Sequence, residues 1–497
     1  MTPGSTHDDR RAAAGGEPDT GHELMPDVPV DADARAAGDA VELEEAEEAQ
    51  AAGEARDADT SARSAGTDAL AVGLGYLASF AYPLVSLPFL TRVVGKENLG
   101  HLMFALAVLQ IVIFTVDFGF GGSALRRIAV ATSKEERSRV VAATIGAKLL
   151  IWVAASAVLM AVVMAGPSMR ELWLMYLLGL LLIGLGALFP AFLLQGVGRA
   201  KQFAVFTAVS RLVALALLLL TVHGPEDFAL AMLWQQFPLA LSAILCWVFL
   251  ITRWQDVRVV RTSLAQIRDA FSDSGALFIS NISVLMMGTA NTVVLGIVST
   301  RPDVAYFGSG ERFSNAARGV LRGVVDAMLP RMTREGVDAR ALQRRISWGI
   351  FGAYAISAVM LVANAPWFIP WYLGDTMRGT IPVMQLMGFS LIFVGIGTVL
   401  QLHVTAQHRF SAIAKIAGAG GIFHLIALIP ASWLWGSLGA SVALVISEAF
   451  LAALYVIDAR RHRARTAADE NAAVAADATD GADGAEGTAH PGSAAGL

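Results

Sequence analysis

The chain has 497 residues, 55% of them hydrophobic and only 16% charged, with a net charge of −5. That balance excludes an ordinary water-soluble domain and gives no basic footprint for a nucleic-acid partner. Its single cysteine, Cys246, excludes an intramolecular disulfide and a cysteine metal cluster. Neither a Walker-type phosphate loop nor an HExxH pair occurs, so the motifs for ATP hydrolysis or zinc chemistry are missing and no cofactor is expected.

Charge is concentrated at the ends. Residues 1–66 carry an excess of about twelve negative charges and residues 467–497 about six, which leaves the middle net positive by about thirteen. Both ends are rich in Ala, Gly, Asp and Glu and poor in aromatics, so they read as disordered or only transiently helical tails. Between them about twelve apolar segments are long enough to span a bilayer. In order they cover 70–93, 99–118, 140–164, 172–194, 203–222 and 228–251, then 276–299, 304–329, 347–369, 381–404, 412–431 and 438–457.

The positive-inside rule orients them. With the N-terminus in the cytoplasm, the inner loops and the C-terminal flank carry roughly twenty Lys and Arg, and the outer loops five. Both termini are therefore expected in the cytoplasm, in a multi-pass cell-membrane protein. Trp367, Trp371, Tyr372, Trp433 and Trp435 fall at the outer interface, where aromatic rings anchor.

The chain repeats itself. Residues 90–100 parallel 295–305, and 193–203 parallel 400–410 at nearly the same offset. The expected fold is all-α: two six-helix lobes of the same orientation, related by an axis along the membrane normal. The expected divisions are a tail at 1–66, a first lobe at 67–251, a linker at 252–274, a second lobe at 275–457 and a basic flank with tail at 458–497. Val257, Val260, Leu264, Ile267 and Phe271 give the linker the pattern of an amphipathic helix on the inner surface.

The eighth segment is the most informative. Glu311, Asn315, Arg318, Arg322 and Asp326 step by four, three, four and four, which puts them on one helical face. An ionisable residue at the bilayer centre costs at least about 2.5–3.5 kcal/mol, so this stripe must face a wet cavity or partners. Arg322 and Asp326 have the spacing to pair with each other. Arg318 has only Glu311 in reach on its own helix, two turns away. The repeat maps Asn315 onto Gln110 and Arg322 onto Asp117, so Asp117 is expected opposite Arg322 as a closing contact.

Lys148 and Arg211 each lie about ten residues into a helix, or about 15 Å from the inner face. With Arg318 and Arg322 they make a set of cations at mid-membrane suited to phosphate, pyrophosphate or an acidic sugar. Glu311 and Glu448 are the intramembrane acids; each either carries a coupling proton or neutralises an arginine. Gln235, Gln236, Asn281, Asn291, Gln385, His403 and His424 bond a sugar or tie helices together, the second role suiting most of them.

Residues 83–110 (PLVSLPFLTRVVGKENLGHLMFALAVLQ), then 116–129 (VDFGFGGSALRRIA), resemble the opening of the Wzx-like polysaccharide-transporter flippases. These belong to the multidrug/oligosaccharidyl-lipid/polysaccharide (MOP) superfamily, with the MATE and MurJ-type transporters. Residues 193–212 and 365–377 resemble later parts of the same family, so the likeness covers the chain between its tails. It implies a twelve-helix transporter that moves a polyprenyl-pyrophosphate-linked oligosaccharide to the outer leaflet by alternating access, for cell-envelope polysaccharide synthesis. Membrane lipid and glycosyltransferases of the same pathway are the implied partners. The family pattern has an acid in the seventh helix where this chain has Asn291, so any coupling role there is absent or has moved, for instance to Glu311.

The expected substrate site is therefore Arg318, Arg322, Arg211, Lys148 and Asn315, with Asp117, Glu311, Asp326 and Glu448 as coupling or gate groups. The rivals are a cation-coupled multidrug exporter of the same superfamily, whose cavity should favour acids and aromatics; a membrane glycan polymerase or ligase, which needs a large outer loop; and a scaffold recruiting enzymes through its tails.

Overall fold

The computed structural model describes residues 81–254, 257–258, 260–332, 337–407 and 409–486. Residues 1–80 and 487–497 lie outside them, and with them the expected N-terminal tail and the end of the C-terminal one. The described part is helical and, among the described residues, contains no strand.

The helices of the first half are α1 (81–93), α2 (Gly95–Asp117), α3 (Phe120–Val130), α4 (Lys134–Ala165), the short turn α5 (Pro167–Arg170), α6 (Trp173–Ala187), α7 (Ala191–Gly196), α8 (Ala200–Thr221) and α9 (Phe228–Phe249). The second half holds α10 (Leu264–Met287), α11 (Ala290–Val298), α12 (Arg301–Met332), α13 (Val337–Leu373), α14 (Thr380–Ala406) and α15 (Phe410–Glu486). Among the described residues, eight helical stretches are long and apolar enough to cross a membrane. The twelve expected segments nevertheless all fall on helix. The last stretch holds two spans, α10 and α11 are separated by a short break, α12 carries its polar stripe, and α1 is described only from residue 81.

Local chemistry sets the ends. Ser133 caps α4 by accepting from Glu136 N at 3.2 Å, and Glu135 and Glu136 place acid in its first turn, where the helix dipole favours it. α2 stops because Phe118 turns left-handed (φ 41) and Gly119 follows at φ 78. Phe118 is a non-glycine residue in a costly conformation, and an aromatic cluster holds it there: its ring stacks on Phe278 at 4.2 Å and meets Phe271 edge-on at 5.3 Å. α15 is two arms broken at Gly436, whose φ of 57 and ψ of −133 lie outside helical geometry. Asp303 sits against that break. Its Oδ1 accepts from Ser437 N at 3.0 Å and Ser437 Oγ at 2.7 Å, and its Oδ2 from Ser299 and Thr300 hydroxyls at 2.8 and 2.6 Å. Burial opposes ionisation of this carboxyl, but those four hydrogen bonds together hold it below the ordinary carboxylate range.

Two boundaries differ from expectation. The linker helix does not end at residue 274: α10 runs unbroken from Leu264 to Met287, so linker and seventh span share one helix. It binds the first half through Ser123 Oγ and Ser274 Oγ, 2.6 Å apart, and Arg127 with Asp273 at 3.3 Å. α15 continues past the expected end of the last span at 457 to Glu486, through the alanine-rich stretch after the basic flank, a composition that favours helix.

The two halves meet along α2 and α12. A Cβ on Gly100 would strike the Arg301 carbonyl, and one on Gly296 would strike the Phe104 ring. Small residues permit this approach, and packing of this kind, not water exclusion, holds helices together in lipid. The largest buried cluster crosses the contact, from Leu99, Leu102 and Phe104 to Leu295, Phe307 and Met384.

Candidate functional site

A cavity of about 690 Å³ opens within the second half, lined from α10 to α15. Asn291, Glu311, Asn315, Arg318, Arg322 and Glu448 supply its polar wall, with Met287, Tyr354, Met387 and Leu444 among the apolar lining. The stripe on α12 thus faces a chamber, as its spacing requires. Asp326, the last member of the stripe, has a side chain outside the described residues.

Arg318 Nη1 lies 2.8 Å from Glu448 Oε1, and Nη2 is 3.4 Å from Ser390 Oγ. The acid lies 130 residues away on the second arm of α15, where the sequence offered only Glu311 as a neighbour. Glu311 Oε2 instead accepts from Thr292 Oγ1 at 3.1 Å. Asn291 is 1% exposed and donates to the Met287 and Gly288 carbonyls, each at 2.8 Å. Its Oδ1 is 2.8 Å from His424 Nε2, and His424 Nδ1 is 2.9 Å from Ser447 Oγ.

Lys148 and Arg211 do not line this cavity. Lys148 Nζ lies 2.7 Å from Asp117 Oδ1, so Asp117 closes onto α4 and not onto Arg322. The reason is local: α2 ends at Asp117, and its carboxylate lies by Lys148 of the neighbouring helix, whereas α12 continues through the matching position. Repeat symmetry in sequence does not extend to this pair.

Arg211 belongs to a second cluster at the junction of the halves. Its Nη1 is buried with no hydrogen-bond partner. Arg312, on α12, donates to the Pro83 carbonyl at 3.1 Å. Arg211 and Arg312 both act electrostatically on Tyr82, whose hydroxyl donates to the Trp234 carbonyl at 2.9 Å. Two guanidiniums from opposite halves therefore converge on one turn of α1; among the described residues neither forms a direct ion pair, and Arg312 feels the charge of its neighbour Glu311. Arg312 is not among the residues expected at the site. Its place beside the polar stripe was the available signal; the convergence with Arg211 depends on how α1, α8 and α12 pack.

Residues 65–335, more than half of the chain, match the family described as "Polysaccharide biosynthesis protein". The chain belongs to that family. The family member is 23% identical over 394 residues to an Escherichia coli (strain K12) protein named "Putative O-antigen transporter", covering 78% of this chain and 94% of that one. A Shigella dysenteriae protein of the same name is 24% identical over 378 residues, covering 75% and 94%. Its fold is similar to the structure titled "Lipid II flippase MurJ, inward closed conformation", with TM-score 0.63, 13% identity and coverage of 79% and 87%. It is also similar to an inward-facing multidrug resistance MATE family transporter of the MOP superfamily, with TM-score 0.57, 15% identity and coverage of 76% and 97%. The family member is therefore a multi-pass membrane transporter, not an enzyme, with the fold shared by those two structures.

Proposed function

We propose that this transporter moves a polyprenyl-pyrophosphate-linked oligosaccharide across the cell membrane, with both termini in the cytoplasm and the two halves rocking about a central site. One observation carries the reading: Arg211 and Arg312 hold guanidiniums inside the bundle with no direct ion pair among the described residues, one from each half, at the same turn of α1. A buried cation without a direct ion pair is costly, and a bidentate oxyanion such as a diphosphate relieves that cost. The names of the O-antigen transporter relatives point to the same class of cargo.

On this reading the diphosphate sits between Arg211 and Arg312, and the glycan extends into the cavity walled by Asn291, Asn315, Arg318 and Arg322. The prenyl tail stays in lipid. Arg318 shapes the glycan chamber instead of holding the diphosphate, because Glu448 already neutralises it. Glycosyltransferases that make the cargo are the natural partners.

The test is flipping of a fluorescent prenyl-pyrophosphate oligosaccharide in proteoliposomes. Arg211→Ala and Arg312→Ala should each lower the rate about ten- to a hundred-fold at equal protein incorporation, from the loss of a charge-assisted bond. Normal rates in both variants overturn the reading. The multidrug alternative shares the MATE-like fold and the acids Glu311 and Glu448 in the cavity. A panel of cationic drugs distinguishes it, since export of those compounds with no effect of the arginine substitutions favours it.

A further inference from the structure

The cavity wall holds two acids, Glu311 and Glu448, and only one has a base of its own. Glu448 lies 2.8 Å from Arg318 Nη1. Glu311, one turn before Asn315 on α12, accepts from the Thr292 hydroxyl at 3.1 Å, and among the described residues it forms no direct ion pair. Two guanidiniums of its own helix, Arg318 and Arg312, act on it electrostatically, yet each is bonded elsewhere. Arg318 turns to Glu448 and Ser390, and Arg312 crosses the seam to the Pro83 carbonyl.

The carboxyl group is open on one side. Thr292, 3% exposed, bonds Oε2, while Glu311 keeps part of its surface free as a lining residue of the cavity. Thr292 can donate to that oxygen in either protonation state, because a carboxylic acid still offers an acceptor oxygen. A proton can therefore join or leave at Oε1 with the hydroxyl bond intact. The charge on this group bears on the anion seat, since Glu311 and Arg312 are consecutive and each feels the other. As a carboxylate, Glu311 lends Arg312 a nearby counter-charge and repels an arriving anion. As an acid it does neither. Glu311 and a diphosphate thus compete for one guanidinium, and a proton decides between them.

The other charged and titratable groups around α12 are occupied or distant. α15 brings Glu448, already paired, and His424, whose ring nitrogens bond Asn291 and Ser447. α14 brings His403, bonded to its own helix at Val399. α13 brings Tyr354 in the cavity wall and Tyr372, whose hydroxyl donates to the Leu84 carbonyl. α11 has no titratable residue, nor has α2 between His101 and Asp117, nor α10 between Asp273 and Met287. α1 and α8 bring Tyr82 and Arg211 to Arg312. On α12 itself, Asp303 and Tyr306 lie toward one end, and Arg322 lies a turn beyond Arg318.

We infer that Glu311 is a proton-binding residue of the cavity wall, and that its protonation accompanies anion binding at Arg312. The second part rests on the transport reading above; the first does not. The cargo takes up a proton as its diphosphate docks, and by reciprocity the proton strengthens its hold.

The experiment uses the full-length protein in nanodiscs from about pH 5 to about pH 9, with the carboxylic-acid C=O stretch followed by infrared difference spectroscopy. The expected result is a carboxyl band that fades as pH rises and is missing in Glu311→Gln. Thr292→Val, which takes a hydrogen bond from the carboxylate, should move its midpoint to higher pH. Bands identical in wild type and Glu311→Gln overturn the proton site; should that variant not fold, a titration unmoved by Thr292→Val overturns it. Farnesyl pyrophosphate binding is measured over the same range. The probe's own ionisation is common to both proteins, so the ratio of dissociation constants, wild type over Glu311→Gln, isolates the residue. That ratio should rise from about 1 at the acid end to about ten to a hundred at the alkaline end. Bound probe should also raise the wild-type infrared midpoint, a readout that needs no variant. A flat ratio with an unmoved midpoint overturns the linkage and leaves the transport reading standing. A probe that does not bind, or that binds Arg312→Ala as tightly as wild type, removes the transport reading and the linkage with it, while the infrared titration still decides the proton site.

Discussion

Two kinds of cation are held within this helical bundle, and they are treated differently. Arg318 has a carboxylate at 2.8 Å and a serine behind it, inside a chamber that belongs to the second half. Arg211 and Arg312 have backbone, an aromatic ring and, for Arg312, the neighbouring Glu311 without a direct ion pair, at the seam where the halves meet. A neutralised arginine contributes shape and hydrogen bonds and has little left to give an anion. Guanidiniums without a direct ion pair keep hydrogen bonds to give, and on the proposed reading an anion takes them by touching both halves. The difference separates a wall from a seat.

That contrast breaks most visibly in a double substitution. Arg211→Ala with Arg312→Ala should abolish flipping in proteoliposomes while leaving thermal stability unchanged or improved, since removing buried guanidiniums that have no direct ion pair relieves a cost. A variant that unfolds instead shows that the arginines hold the seam together. Next in size is Arg318→Met, which leaves Glu448 without its partner and should cost about 3–5 kcal/mol by denaturant or thermal titration in detergent. Adding Glu448→Leu should recover most of that loss, and a double variant no better than the single one would show that Arg318 acts through something other than the pair.

Smaller effects sharpen the same distinction. Lys148 is 9% exposed, but the side chain of its partner Asp117 is 50% exposed, so solvent screens the pair. Asp117→Asn should therefore cost only about 0–1 kcal/mol. A loss as large as that for Arg318→Met would make this pair a closing contact of the kind expected from the repeat. Asp303 gives the mildest test, by pH. Its folded value is held below that of an unfolded carboxyl, so its contribution is present above roughly pH 4 and is lost as pH falls through the lower folded value. The difference in melting temperature between wild type and Asp303→Asn should shrink under acid, and a gap that widens there would refute the sign.

Much of the architecture is written in one-dimensional pattern. Apolar length places every described span on helix, and the four-three-four stepping from Glu311 to Arg322 identifies the helix face that lines the chamber. What resists reading is pairing across distance. Glu448 lies 130 residues from Arg318, and Asp117 lies 31 residues from Lys148 on the neighbouring helix. Charges that look equally buried in sequence are sorted only when tertiary packing decides which acid reaches which base. The His424 network is hidden for the same reason: its two partners come from α11 and the far arm of α15, and the residue types alone fit any polar tie between helices.

The contact of Gly100 with the Arg301 main chain has one further consequence. Where two side chains meet, rotamers can swing to keep touch as helices drift apart. Bare main chain has no such slack, and dispersion fades within about an ångström of separation. The seam at α2 and α12 consequently leaves no room for a side chain at this point, and a single added methyl at residue 100 has to push the Arg301 main chain away.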